Sequence, residues 1–138
     1  MSEPTHGLDR ILETVVYYRE ENRDAMRRFY DDVLRLGTSR VSSFGYRLGS
    51  SVLLIFDADR SVVQKSPPAH GTSGRAHACF VAAAGDYEPW KDRLRAAGVE
   101  ILEEIAWSPP LMGRSFYFHD PAGNVLEIAD CDIWPPGS

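Results

Sequence analysis

Two stretches of this chain run through the same order of residue types, and a repeat of that kind limits the fold more than any single motif does. Residues 11–18 are rich in branched and aromatic side chains and read as a strand with Ile11, Glu13, Val15 and Tyr17 on one face. Met26, Phe29, Tyr30, Val33 and Leu34 then recur at helical spacing, with Asn22 as the cap and Gly37 as the stop. Two β-like runs follow, residues 39–48 and 51–56, joined at Gly49-Ser50. From Asp57 to Gly74 the chain is dense in turn formers and has little periodicity, which suits a connection. The order then returns. Residues 76–82 read as a strand with His77, Cys79 and Val81 on one face, and a helix carrying Tyr87, Trp90, Leu94 and Ala97 lies between Asp86 and Gly98. A further β-like run at 99–107 leads into the last two strands. Glu13 and His77 hold corresponding places in the two halves, and Leu54 stands where the second half has Glu127.

Those last two strands surround Asp120-Pro-Ala-Gly-Asn124, where Pro121 presets φ and Gly123 accepts positive φ, so residues 113–130 read as a hairpin. Side chains alternate along a strand. Phe116 and Phe118 therefore share one face, while Ser115 and Tyr117 share the other. Leu126 and Ile128 likewise oppose Val125, Glu127 and Ala129. A carboxylate in mid-strand among apolar neighbours is costly to bury without a partner, which makes the hydroxyl and carboxylate face a candidate site floor.

A chain of 138 residues with 43% hydrophobic and 25% charged residues fits one soluble domain. The expected division is a first module over 8–60, a connection over 61–74 and a second module over 75–134. The net charge of -5 comes without any basic run, which argues against a nucleic-acid partner. Two cysteines, Cys79 and Cys131, and no basic-then-apolar lead at the N-terminus point to free thiols and a cytoplasmic setting. No window is long and apolar enough to span a bilayer.

Phe29-Tyr-Asp-Asp-Val-Leu34, the repeated element order and above all Gly113-Arg-Ser-Phe-Tyr-Phe-His-Asp-Pro-Ala-Gly-Asn-Val-Leu-Glu127 resemble the vicinal oxygen chelate superfamily, which includes glyoxalases, fosfomycin and bleomycin resistance proteins and extradiol dioxygenases. The resemblance implies an α+β fold, with two tandem βαβββ modules making an open, curved, eight-stranded mixed sheet around a cleft and helices outside. It implies a homodimer that takes a small-molecule substrate. It also implies a divalent metal ion (Mn, Fe, Ni or Zn) held by Glu13, His77 and Glu127. Ser115 and Tyr117 fall on the family's cleft hydroxyls, and Arg114 and Trp107 stand beside them as further substrate contacts. The function implied is a metal-dependent enzyme of the lyase, isomerase or dioxygenase class that binds a bidentate oxygen substrate, with Glu127 and Tyr117 catalytic. The alternative is a metal-free drug-binding protein of the bleomycin-resistance kind. Its support is Leu54 in place of a fourth ligand and the aromatic set Tyr17, Phe44, Phe56, Trp107 and Tyr117.

Each site residue also has a plainer reading. His77 suits a hydrogen-bonded core histidine, Glu127 a salt bridge across the sheet, and Glu13 an outward-facing acid if its strand slips by one residue. Ser115 and Tyr117 can satisfy neighbouring polar groups, and Arg114 can be a solvated strand-end charge. Cys79 reads as a buried thiol, and His70 and His119 read as surface residues.

Overall fold

A computed structural model of the protein describes residues 7–136. The strands are β1 (Glu13–Tyr18), β2 (Arg40–Ser42), β3 (Gly45–Leu48), β4 (Ser51–Asp57), β5 (His77–Val81), β6 (Glu103–Ala106), β7 (Arg114–His119) and β8 (Val125–Ala129). The helices are α1 (Arg23–Arg28), α2 (Ala58–Ser61) and α3 (Tyr87–Ala96). The eight strands form two four-stranded sheets with orders β1-β4-β3-β2 and β5-β8-β7-β6. In each, the first strand pairs parallel with the last and the other pairs are antiparallel. The sheets are therefore mixed, and the chain is α+β with two βαβββ modules.

The register repeats as well as the order. Glu13 lies opposite Val52 and Val15 opposite Leu54, just as His77 lies opposite Val125 and Cys79 opposite Glu127. Leu54 and Glu127 are thus equivalent positions in the two sheets. The run at 39–48 breaks into β2 and β3 around Ser43 and Phe44, because the Phe44 side chain turns into the core at 8% exposure. This completes the three strands after the first helix.

Helix α1 does not run on to Gly37. It widens into a π-helical turn over Phe29–Val33, with the Leu34 amide donating to the Phe29 carbonyl, and the left-handed residue is Arg35 at φ 58°. Gly37 serves a close approach instead: a Cβ there would sit 3.2 Å from the Asp31 carbonyl oxygen. In the turn between β7 and β8 the expected glycine geometry holds, with Gly123 at φ 90° and Asp120 Oδ1 accepting from the Ala122 and Asn124 amides.

The helices cover one face of each sheet and their apolar residues merge into one core. Val16, Met26, Tyr30, Tyr46, Leu94, Phe116, Phe118 and Leu126 are fully buried within it. Burying each large side chain contributes about 1.5–3 kcal/mol. Phe29 meets Phe118 across the module boundary at 6.3 Å between ring centroids, and Tyr30 donates to Asp120 Oδ2 at 2.7 Å. Among the described residues no helix is long and apolar enough to cross a membrane.

Candidate active site

The faces turned away from the helices carry the polar chemistry. In the second sheet the hairpin register sets Tyr117 opposite Glu127 and Ser115 opposite Ala129, with Phe116 and Phe118 fully buried on the other side. The parallel β5–β8 pairing then brings His77 beside Glu127, with 3.3 Å between His77 Nε2 and Glu127 Oε1. Glu127 is 5% exposed, whereas the His77 side chain is about half exposed at 51%. The carboxylate is the floor of the site and the imidazole its rim.

Hydrogen bonds fix both groups. Ser115 Oγ donates to Glu127 Oε2 at 2.5 Å and accepts from the Trp107 indole Nε1–H at 3.0 Å. His77 Nδ1 lies 2.8 Å from the Val125 carbonyl, an acceptor only, so Nδ1 carries the proton. A neutral His77 then presents the bare Nε2 lone pair to the Oε1 of a carboxylate. Two acceptors face one another across 3.3 Å, and the gap calls for a proton or a cation.

Neighbouring groups respond to the carboxylate. Burial first and the Glu127 charge second raise the Tyr117 hydroxyl above the usual tyrosine range, so it stays protonated as a donor. The Tyr117 ring lies over His77, 6.2 Å between centroids at 24°. Burial and Glu127 also push the Cys79 thiol up to about 12. Cys79 is exposed at the residue level rather than being a core thiol, and its neutral sulfur is a poor nucleophile at ordinary pH.

Other expected contributors lie elsewhere. Glu13 begins β1 on the helix-free face but is exposed and does not join His77 and Glu127 within one chain. Among the described residues, no three His, Cys, Asp or Glu side chains are gathered closely enough to hold a metal. Arg114 is displaced from the cleft by strand alternation. It shares the face of Phe116, stacks over the Tyr87 ring at 4.5 Å and is held by Glu88 at 3.0 Å and Asp130 at 3.4 Å. Phe44 lies in the core rather than near the cleft. Trp107 acts through Ser115. His6 lies outside the described residues.

His70 is the residue that reading the sequence passes over. It comes from the connection, yet its ring lies against Phe56 with 4.9 Å between centroids and its Nδ1 is 2.7 Å from the Tyr17 hydroxyl. No periodicity marks it, because loop residues carry none.

Comparison with known proteins identifies relatives of the fold and sequence. Residues 10–128 match the family model described as the Glyoxalase/Bleomycin resistance protein/Dioxygenase superfamily. Lactoylglutathione lyase from Agrobacterium tumefaciens is similar over 91% of this chain and 94% of its own, with TM-score 0.75 and 30% identity. A virulence protein from Salmonella typhimurium shares the fold at TM-score 0.68 and 24% identity, over 88% of this chain and 96% of its own. The glutathione transferase FosA of Serratia marcescens is 39% identical over 77 residues, which are 56% of this chain. That match spans about half the length of FosA, 48%.

Proposed function

The chain belongs to the glyoxalase/bleomycin resistance/dioxygenase superfamily, and from that membership we propose that it is a metal-dependent enzyme acting on a small substrate with two adjacent oxygen donors. His77 and Glu127 would hold a divalent ion of the Mn, Fe, Ni or Zn type, with Glu13 as the third ligand. The observation that carries the reading is the His77–Glu127 pair. Its imidazole is oriented from behind by the Val125 carbonyl, its carboxylate is oriented from behind by Ser115, and with a neutral imidazole the two lone pairs converge with no other donor between them among the described residues. A mixed nitrogen and oxygen set of this kind suits those metals better than Ca²⁺. Bound there, the ion supplies Lewis-acid polarisation of the substrate oxygens.

The chain's own groups do the rest. Ser115 keeps one Glu127 oxygen turned away from the substrate, and the protonated Tyr117 hydroxyl donates a hydrogen bond to charge developing on a substrate oxygen. Glu13 stands apart from its fellow ligands in one chain, and β5 leaves His77, Cys79 and Val81 uncovered, Val81 at 61% exposure. Both features fit a homodimer in which each site takes Glu13 from a second copy.

The test is thermal unfolding after chelator treatment, with and without Mn²⁺, Fe²⁺, Ni²⁺ or Zn²⁺. At a hundredfold excess over Kd a bound ion adds about 2.7 kcal/mol of stability. Glu127→Gln and His77→Ala should remove most of the rise in Tm, and Glu13→Gln less of it. A wild-type Tm that no metal changes would sink the proposal. A proton filling the same gap would leave a metal-free binding protein, a reading favoured by Leu54 at the position equivalent to Glu127.

A further inference from the structure

On the helix-free face of the first sheet, Tyr17 and Phe56 are directly opposite in the parallel β1–β4 register, and both are half-buried. His70 closes over them. Its backbone amide is anchored to the Ser61 carbonyl at 3.0 Å, its Nδ1 meets the Tyr17 hydroxyl at 2.7 Å, and its ring lies over Phe56 at 31° between planes. Tyr17 is held in turn from behind, because its carbonyl accepts from Asn124 Nδ2 at 2.9 Å and Asn124 Oδ1 accepts the Ala76 amide at 3.1 Å. Three rings from three segments are thus fixed into one wall. This is more than a solvated loop histidine needs.

We infer that Tyr17, Phe56 and His70 form the specificity wall of the cleft, taking a flat, unsaturated or aryl part of the substrate while its paired oxygens lie at the metal end. The inference rests on reading the helix-free face as a substrate cleft. Alternation puts Glu13, Val15 and Tyr17 on that face, and four residues of strand span about 13 Å, so the wall stands one small molecule's length from the proposed ligand. The chemistry is complementary as well. When Tyr17 donates to Nδ1, the proton of a neutral His70 sits on Nε2, which has no partner among the described residues. The wall therefore offers aromatic surface and, in that tautomer, one hydrogen-bond donor, which suits a flat group that bears a carbonyl or phenolic oxygen. His70 is a positioning residue for substrate rather than a group that meets the reacting atoms.

The full chain, with and without Mn²⁺, is titrated with two probes that share a hydroxy-ketone oxygen pair. Maltol carries only a methyl group beyond that small ring system, whereas 3-hydroxyflavone has a fused benzene ring and a phenyl group. The wild type should prefer the flavone. Phe56→Leu keeps apolar volume without a flat face, and His70→Asn keeps a polar group without a ring; each should weaken the flavone about tenfold and leave maltol unchanged. Tyr17→Phe, which removes only the hydroxyl, should weaken it less. Flavone affinity equal to wild type in both Phe56→Leu and His70→Asn overturns the wall. If Mn²⁺ changes neither probe's affinity, the metal reading fails, and the metal-free flavone titrations still decide the wall by the same two variants. Tm measured beside each titration separates loss of binding from loss of fold.

Discussion

The hydroxyl of Ser115 donates to Glu127 Oε2 at 2.5 Å, while the other carboxylate oxygen faces His77. One oxygen is thereby committed to the protein and one is left for a ligand. Removing that constraint by Ser115→Ala should cost about 10–100-fold in divalent metal affinity, the usual effect of losing a group that orients a ligand. Trp107→Phe, one bond further back, should cost less. Calorimetric titration of the chelator-treated protein with Mn²⁺ measures both. Unchanged affinity in Ser115→Ala would mean that Glu127 is not a metal ligand.

If Glu13 reaches the site from a second copy, inactive chains should rescue one another. A Glu13→Ala chain and a His77→Ala chain each lack a ligand at both sites of their own homodimer. A mixed dimer places both changes in one site and leaves the other intact. Refolding an equal mixture should give half of the chains in mixed dimers and about a quarter of the wild-type metal stoichiometry. Sedimentation should show twice the 15.4 kDa of one chain. Stoichiometry no higher than in the separate variants would mean that a second copy does not supply Glu13 to the site.

Much of this architecture is legible in the residues because it follows from alternation and repeats. The hairpin between β7 and β8, the separation of Phe116 and Phe118 from Ser115 and Tyr117, and the match of Leu54 to Glu127 are consequences of period two and of the repeat order. The end of α1 is not legible. A π-helical turn moves the left-handed position to Arg35, and nothing in the local composition distinguishes Gly37 as a close-packing glycine from Gly37 as a stop. Arg114 is next to Ser115 in sequence, but one residue of alternation puts it on the opposite face, against Tyr87. The place of His70 is not legible because its partners, Tyr17 and Phe56, lie 53 and 14 residues away, and only tertiary structure brings them together.

Tyr30 and Asp120 tie the first helix to the turn before β8, and both are buried. Tyr30→Phe should cost about 1–3 kcal/mol at neutral pH, because Asp120 Oδ2 loses a donor in a desolvated place. Burial holds Asp120 above its ordinary value of 3.8 in spite of the bonds from Asn124 and Tyr30. A carboxyl raised on folding takes up its proton in the folded state first, so its contribution to stability grows as pH falls through the folded value toward 3.8. The Tyr30 hydroxyl favours the charged form, so the cost of Tyr30→Phe should shrink across that same acid range. Urea unfolding at neutral and mildly acid pH checks the sign. A cost that grows with acid would contradict it.

The opposite pH sign should appear at Glu104. Its carboxylate accepts from Lys91 Nζ at 2.8 and 2.7 Å and from the Tyr87 hydroxyl at 2.7 Å, and Lys91 is 5% exposed. The Lys91 bond first, then the Tyr87 bond, hold Glu104 below the ordinary glutamate value of 4.5. A carboxyl lowered on folding contributes stability that is complete above 4.5 and is lost as pH falls through its folded value. Glu104→Gln keeps the shape but leaves a buried ammonium with only the more exposed Glu88, 3.3 Å away, as its counter-charge. The variant should therefore have a lower Tm at neutral pH and a shallower fall in Tm below pH 4.5 than the wild type. Scanning Tm against pH for both chains checks the two effects together, and parallel curves would show that the pair carries no pH-dependent stability.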